Sequence, residues 1–184
     1  SEPSVGAVSA MPEVAAATAR IRQLLAGARP DLAVVLGSGL GPGLGSWTEL
    51  GALAYAECFP WVVRGGGVPG HGGRWRAGRV GDATVVALDG RLHLYEGYSP
   101  ARSLAPLAAL LALEPRLLLL TNAAGCLRAE WAPGELMLIS DHLNLTGVHP
   151  LRGADGVGAG GDAFLDMSDL YSAEWRARLR RLPG

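Results

Sequence analysis

Apolar side chains recur every three or four residues at the start of the chain. Val14, Ala17, Ile21, Leu24 and Leu25 share one face between Pro12 and Ala28, and Gly27 stands where a helix would stop. This pattern predicts an amphipathic helix. From Leu32 to Leu36 the periodicity gives way to an unbroken apolar run that enters Gly37-Ser38-Gly39-Leu40-Gly41, as expected of a buried strand ending in a tight turn. Glycine and proline accumulate from Pro60 to Gly73 and predict a mobile surface loop. Thr84 to Leu88 and Gly90 to Tyr95 read as strands, and Pro100 to Leu113 as a helix with proline in its first turn. Leu117 to Leu120 reads as a further buried strand, running directly into Thr121-Asn122-Ala123-Ala124-Gly125, where small side chains leave the backbone accessible. Glu135 to Ser140 predicts one more strand, Gly153 to Gly161 a flexible loop, and Ser172 to Arg181 a short amphipathic helix. Strands alternating with helices, without a repeat or a dividing linker, predict a single α/β domain over residues 1–184.

Gly90-Arg91-Leu92-His93-Leu94-Tyr95-Glu96-Gly97 is the segment richest in chemistry. In an extended strand alternate side chains share a face, so Arg91, His93 and Tyr95 would line up while Leu92 and Leu94 turn into the core. A guanidinium fork, an imidazole and a phenol in a row suit an oxyanion such as phosphate, and a solvated strand face is the plain alternative. Ser38 adds a hydroxyl within a turn whose backbone N–H groups are open to an anion. That turn departs from the dinucleotide fingerprint, with Pro42 where the third glycine belongs, and from the nucleophile elbow, with Leu36 at its first position. His71, in Pro69-Gly70-His71-Gly72-Gly73, would either close over a bound anion or remain an exposed loop residue. Glu96 would either orient His93 or Tyr95 or cap the following turn. His142, next to Asp141, reads as a structural histidine, because no second histidine stands at ligand spacing.

Composition narrows the function further. The formal net charge of -1, with both signs mixed along the chain, leaves no electrostatic footprint for nucleic acid or an anionic membrane. All basic side chains are arginine, which excludes Schiff-base lysine chemistry and a Walker A lysine. Two cysteines, Cys58 and Cys126, provide neither a disulfide framework nor a zinc site, and they fit a reducing cytoplasm. Glu114, Pro115 and Arg116 interrupt the longest apolar stretch, so no membrane-spanning segment is expected.

Taken in order, Val34-Val35-Leu36-Gly37-Ser38-Gly39-Leu40-Gly41, Pro69-Gly70-His71, Gly90 to Tyr98, Thr121 to Gly125 and Asp141-His142-Leu143-Asn144-Leu145 resemble the trimeric purine nucleoside phosphorylases. Met167-Ser168-Asp169 and Tyr171 extend the match, which runs from about Asp31 to Tyr171. The resemblance implies a three-layer nucleoside-phosphorylase-like fold, a central mixed β-sheet flanked by helices. It implies phosphate held by Ser38, His71, Arg91, His93 and the backbone N–H of Ala123. Tyr95 and Phe164 would meet the ribose, Phe164 from a neighbouring subunit of a homotrimer, and Ala124 and Gly125 would line the purine pocket. His93 and Glu96 would carry the catalytic role, with Glu96 organising the phosphate ligands. The implied partners are a purine nucleoside and inorganic phosphate as co-substrate, with no cofactor and no metal.

The sequence also departs from that pattern. The later Gly-Pro-Ser-Phe-Glu motif, which supplies the purine-reading glutamate, has no counterpart, nor does the later asparagine segment. Cys126 follows Asn-Ala-Ala-Gly where glycine is usual, and Gly65-Gly66-Gly67 leads into the histidine loop. The expectation is therefore the N-terminal portion of the family fold, lacking its C-terminal part. Its alternative is a non-catalytic phosphate-binding or assembly module. Methylthioadenosine phosphorylase and nucleoside hydrolase fit less well: the first departs from the Pro-Gly-His and Asn-Ala-Ala-Gly patterns, and the second needs an aspartate cluster for a metal.

Overall fold

The computed structural model describes residues 8–9, 11–41, 47–63, 73–147 and 166–182. Helix α1 (Pro12–Leu24) starts with proline at its first position, where a missing N–H costs nothing, and buries Val14, Ala17, Thr18 and Ile21. The hydroxyl of Thr18 donates within the helix to the Val14 carbonyl at 2.8 Å and lies 3.2 Å from the Ala109 carbonyl of a second helix. That helix, α2 (Pro100–Leu111), is capped by Ser99, whose hydroxyl accepts the Arg102 N–H.

Among the described residues five strands form one mixed sheet in the order β2-β3-β4-β1-β5. They are β1 (Leu32–Leu36), β2 (Thr48–Ala54), β3 (Arg74–Val80), β4 (Ala83–Asp89) and β5 (Leu117–Leu120). β3 runs antiparallel to both of its neighbours, β2 and β4, whereas β4 and β5 both pair parallel with β1, which lies between them. The β3–β4 hairpin closes on Gly81-Asp82, and Gly81 takes a φ of +57°, as a tight two-residue turn with glycine first requires. Strands alternate their side chains, so Ala33, Val35, Trp75, Ala77, Val86 and Leu88 meet α1 and α2 in the main core. Val34, Leu36, Val85 and Ala87 form a smaller cluster on the other face, with Leu32 and Trp47 packed against it. Trp75, fully buried, donates its indole N–H to the Pro106 carbonyl at 3.0 Å and so fixes α2 over the sheet.

The mixed α/β sheet with helices is as the sequence predicts, and several elements are not. Gly90 to Tyr95 is no strand. Gly90 adopts a φ of +95°, which turns the chain out of the sheet after Asp89, and Leu94–Glu96 coil into one 3₁₀ turn. Leu92 packs against the core as expected, while Leu94 remains 46% exposed. Glu135 to Ser140 is irregular, with Leu136 99% exposed, because no neighbouring backbone among the described residues pairs with it. Leu117–Leu120 is a strand, but at the sheet edge: Leu118, Leu119 and Leu120 are exposed instead of buried. β2 and β3 are additions to the predicted set. The last helix, α3 (Ala173–Leu179), is shorter than predicted and has no buried residue. Most of the predicted 60–73 loop and all of the 153–161 loop lie outside the described residues.

Candidate functional site

Because β4, β1 and β5 are parallel, their carboxyl ends open at the same end of the sheet. Register fixes how closely the following segments emerge: Leu36 at the end of β1 is level with Asp89, and Val35 is level with Leu120. Gly37-Ser38 therefore leaves the sheet between Gly90-Arg91 on one side and Thr121-Asn122 on the other. In open α/β sheets this is where ligands bind, outside the carboxyl ends of the strands.

Side-chain and backbone contacts hold the three segments. The Thr121 hydroxyl accepts the Gly37 N–H at 2.9 Å and donates to the Val35 carbonyl at 2.8 Å. Gly37 is buried, and a Cβ placed on it would lie 2.6 Å from the Cα of Asn122, so glycine is needed there for space. Gly39 needs glycine for conformation instead, at a φ of +81°. At the end of β4, Asp89 accepts from both Nε and Nη2 of Arg74 at 3.0 and 2.9 Å, and its own side chain is 9% exposed. The phenol of Tyr55 donates to the Gly90 carbonyl at 2.8 Å. Tyr55 is fully buried against Trp75, ring centroids 4.5 Å apart and nearly perpendicular. Burial, followed by the negative charge of Asp89, holds its pKa well above the usual phenol value. The Gly90 turn thus rests on a buried neutral phenol.

The predicted site residues take the following places. Ser38 lies in the exposed turn after β1, and Arg91 is exposed just beyond Gly90. His93 and Tyr95 do come together, although not as neighbours on a strand face: the 3₁₀ turn stacks their rings with centroids 4.7 Å apart and planes 12° apart. Tyr95 is 72% exposed and His93 half-buried. Glu96 accepts the backbone N–H of His93 at 2.7 Å, so it fixes the histidine through the main chain and closes its own turn instead of the following one. Ala123, Ala124 and Gly125 are open to solvent. His71 and Phe164 lie outside the described residues. His142 is exposed, and its Nδ1 sits 2.9 Å from the Tyr171 hydroxyl, which ties the Asp141 segment to the chain before α3.

Sequence reasoning missed Thr121, Asp89 and Tyr55. The hydroxyl of Thr121 is visible as the only polar group between the apolar run and the Asn-Ala-Ala-Gly segment, but its partners belong to β1 and appear only once register is known. Tyr55 carried no local signal at all, and nothing local paired Arg74 with Asp89.

A mixed sheet in which β1, lying between two parallel neighbours, feeds a glycine-rich turn between two further loops is an arrangement found in α/β proteins that bind small ligands. The chain belongs to the phosphorylase superfamily, whose family model matches residues 31–183. It is 39% identical over 153 residues to purine nucleoside phosphorylase 1 of Geobacillus stearothermophilus, covering 83% of this chain and 53% of that protein. It is 40% identical over 154 residues to the purine nucleoside phosphorylase of Mycobacterium tuberculosis, covering 82% and 53%. For the Bos taurus purine nucleoside phosphorylase the identity is 37% over 155 residues, covering 82% and 52%. The chain spans about half the length of the curated relatives it matches. Among the described residues no helix is long and apolar enough to cross a membrane.

Proposed function

We propose that this chain carries the phosphate- and ribose-facing part of a purine nucleoside phosphorylase, which cleaves purine (2′-deoxy)ribonucleosides to the free base and (deoxy)ribose 1-phosphate. The observation that carries the reading is the convergence of the Gly37, Gly90 and Thr121 segments at one end of the sheet, in a chain whose relatives are named for this activity.

In the proposed reaction a phosphate oxygen bonds to the anomeric carbon as the glycosidic carbon–nitrogen bond breaks. The bonding pair leaves with the base, which takes up a proton. Positive charge develops on the ribose, and the bound phosphate dianion stabilises it. Arg91 suits the phosphate because a guanidinium stays cationic and donates to two oxygens at once. The Ser38 hydroxyl, the His93 imidazole and the Ala123 N–H add donors that are fixed before the reaction, so that charge is met without reorganisation. Glu96 holds His93 in place, and Tyr95, stacked on it, offers its phenol to a sugar hydroxyl. His71 and Phe164 complete the phosphate and ribose sets by resemblance, and Ala124 and Gly125 provide a wall of backbone and a single methyl group for the flat purine. The mechanism uses positioning and electrostatics, with no covalent enzyme intermediate and no cofactor. With Phe164 reaching a neighbouring site, the working assembly is a homotrimer, and the free thiols of Cys58 and Cys126 fit the cytoplasm.

A second reading, a phosphate-binding module of the same fold without turnover, is favoured by the exposure of residues 122–130, which leaves the purine face open among the described residues. The chain is incubated with inosine in the presence and absence of inorganic phosphate. Hypoxanthine formed only with phosphate supports phosphorolysis. Phosphate binding without product supports the module, and product formed without phosphate contradicts both.

A further inference from the structure

We infer that Thr121 is a positioning residue for the phosphate-binding segments, its hydroxyl acting as a single tie between the Gly37-Ser38 turn and the Asn122-Ala123 backbone. The inference rests on the phosphate reading above and adds to it the group that holds the two anion-facing segments in register.

The β1–β5 ladder has its last paired residues at Val35 and Leu120, and the Thr121 N–H then donates to the Val35 carbonyl at 2.9 Å. Beyond that point β1 turns into glycine, and backbone pairing between the two segments gives way to a side-chain contact. The Thr121 hydroxyl takes over, accepting from Gly37 N–H at 2.9 Å and donating to Val35 O at 2.8 Å. Its proton is committed to Val35 and one of its two lone pairs to Gly37, which fixes its rotation and leaves it no donor to offer a phosphate oxygen. Its role is therefore indirect. The residue after Gly37 is Ser38 and the residues after Thr121 are Asn122 and Ala123, so a shift at this tie moves donors on both sides of the anion. Gly37 is buried and packed against Asn122, so removing the hydroxyl takes from its N–H the partner it has in the parent chain.

Serine and valine separate the two halves of the threonine side chain. Thr121→Ser keeps the hydroxyl and loses the methyl group. Thr121→Val keeps shape and β-branching, and it preserves the backbone bond to Val35, while leaving the Gly37 N–H unsatisfied. Calorimetric titration of the full chain with inorganic phosphate should show Thr121→Val weakened by about 10-fold and Thr121→Ser close to the parent. In hydrogen exchange the Gly37 amide should lose protection in Thr121→Val alone, with the β2–β3 amides unchanged. If Thr121→Val does not fold, Thr121→Ala replaces it in the same comparison with Thr121→Ser. Equal phosphate affinity in the parent and the hydroxyl-free variant overturns the inference, as does an equal loss in the serine variant. A parent chain that binds no phosphate removes the phosphate reading itself, and this inference with it.

Discussion

The Cα of Asn122 lies 2.6 Å from the point where a Cβ on Gly37 would stand. Two strands that are distant in sequence are thereby brought together at their carboxyl ends, closer than any side chain at position 37 would permit. Gly37→Ala should force β1 and β5 apart, at a cost of about 1–3 kcal/mol typical of overpacking. Urea denaturation measures it as a lower midpoint with unchanged slope. A midpoint equal to that of the parent would mean that the segments separate freely.

Arg91 is exposed at the lip of the same opening. Arg91→Ala should leave stability within experimental error and weaken phosphate binding by ~2 kcal/mol, about 30-fold, as expected when a charge-assisted contact is lost. Isothermal titration with inorganic phosphate checks the affinity and a thermal melt checks the fold. Unchanged affinity would remove Arg91 from the site.

Alkaline pH acts through Tyr55. Its pKa is raised in the folded chain, chiefly by burial and then by Asp89, so the folded state holds the phenolic proton more tightly than the unfolded state does. The stabilisation is fully present below the ordinary phenol value of about 10 and is lost as pH rises through the higher folded value. Spectrophotometric titration should show one of the four tyrosines ionising later than the rest, and Tyr55→Phe should abolish that late phase. The same variant loses the bond to Gly90 and should be less stable at neutral pH by about 1 kcal/mol.

What was legible in the sequence was local. The 3.6-residue spacing of Val14, Ala17 and Ile21 reports the face that α1 buries, and the run Leu32–Leu36 reports a strand covered on both sides. β3 also carried a signal in Arg74-Trp75-Arg76-Ala77, which alternates charged with buried positions directly after the predicted Pro60–Gly73 loop. The strand predicted at Gly90–Tyr95 failed because its alternation is real while its backbone is not extended: one glycine at positive φ outweighs the pattern that follows it. Glu135 to Ser140 failed for another reason, since a strand needs a neighbour and sequence alone does not say whether one is present. The site was legible as a set of residue types. Its joining parts, the Thr121 hydroxyl, the Asp89–Arg74 pair and the Tyr55 phenol beneath Gly90, depend on contacts across strands and were not.

The central claim is that one phosphate ion binds where the carboxyl ends of β1, β4 and β5 open together. Nuclear magnetic resonance of the labelled chain, titrated with inorganic phosphate, tests it most directly. The account predicts that the amide signals of Ser38, Arg91 and Ala123 move together along a single binding curve, while those of Gly81 and Asp82, at the opposite end of β4, stay in place. Separate curves for the three amides, or shifts confined to other regions of the chain, would contradict it.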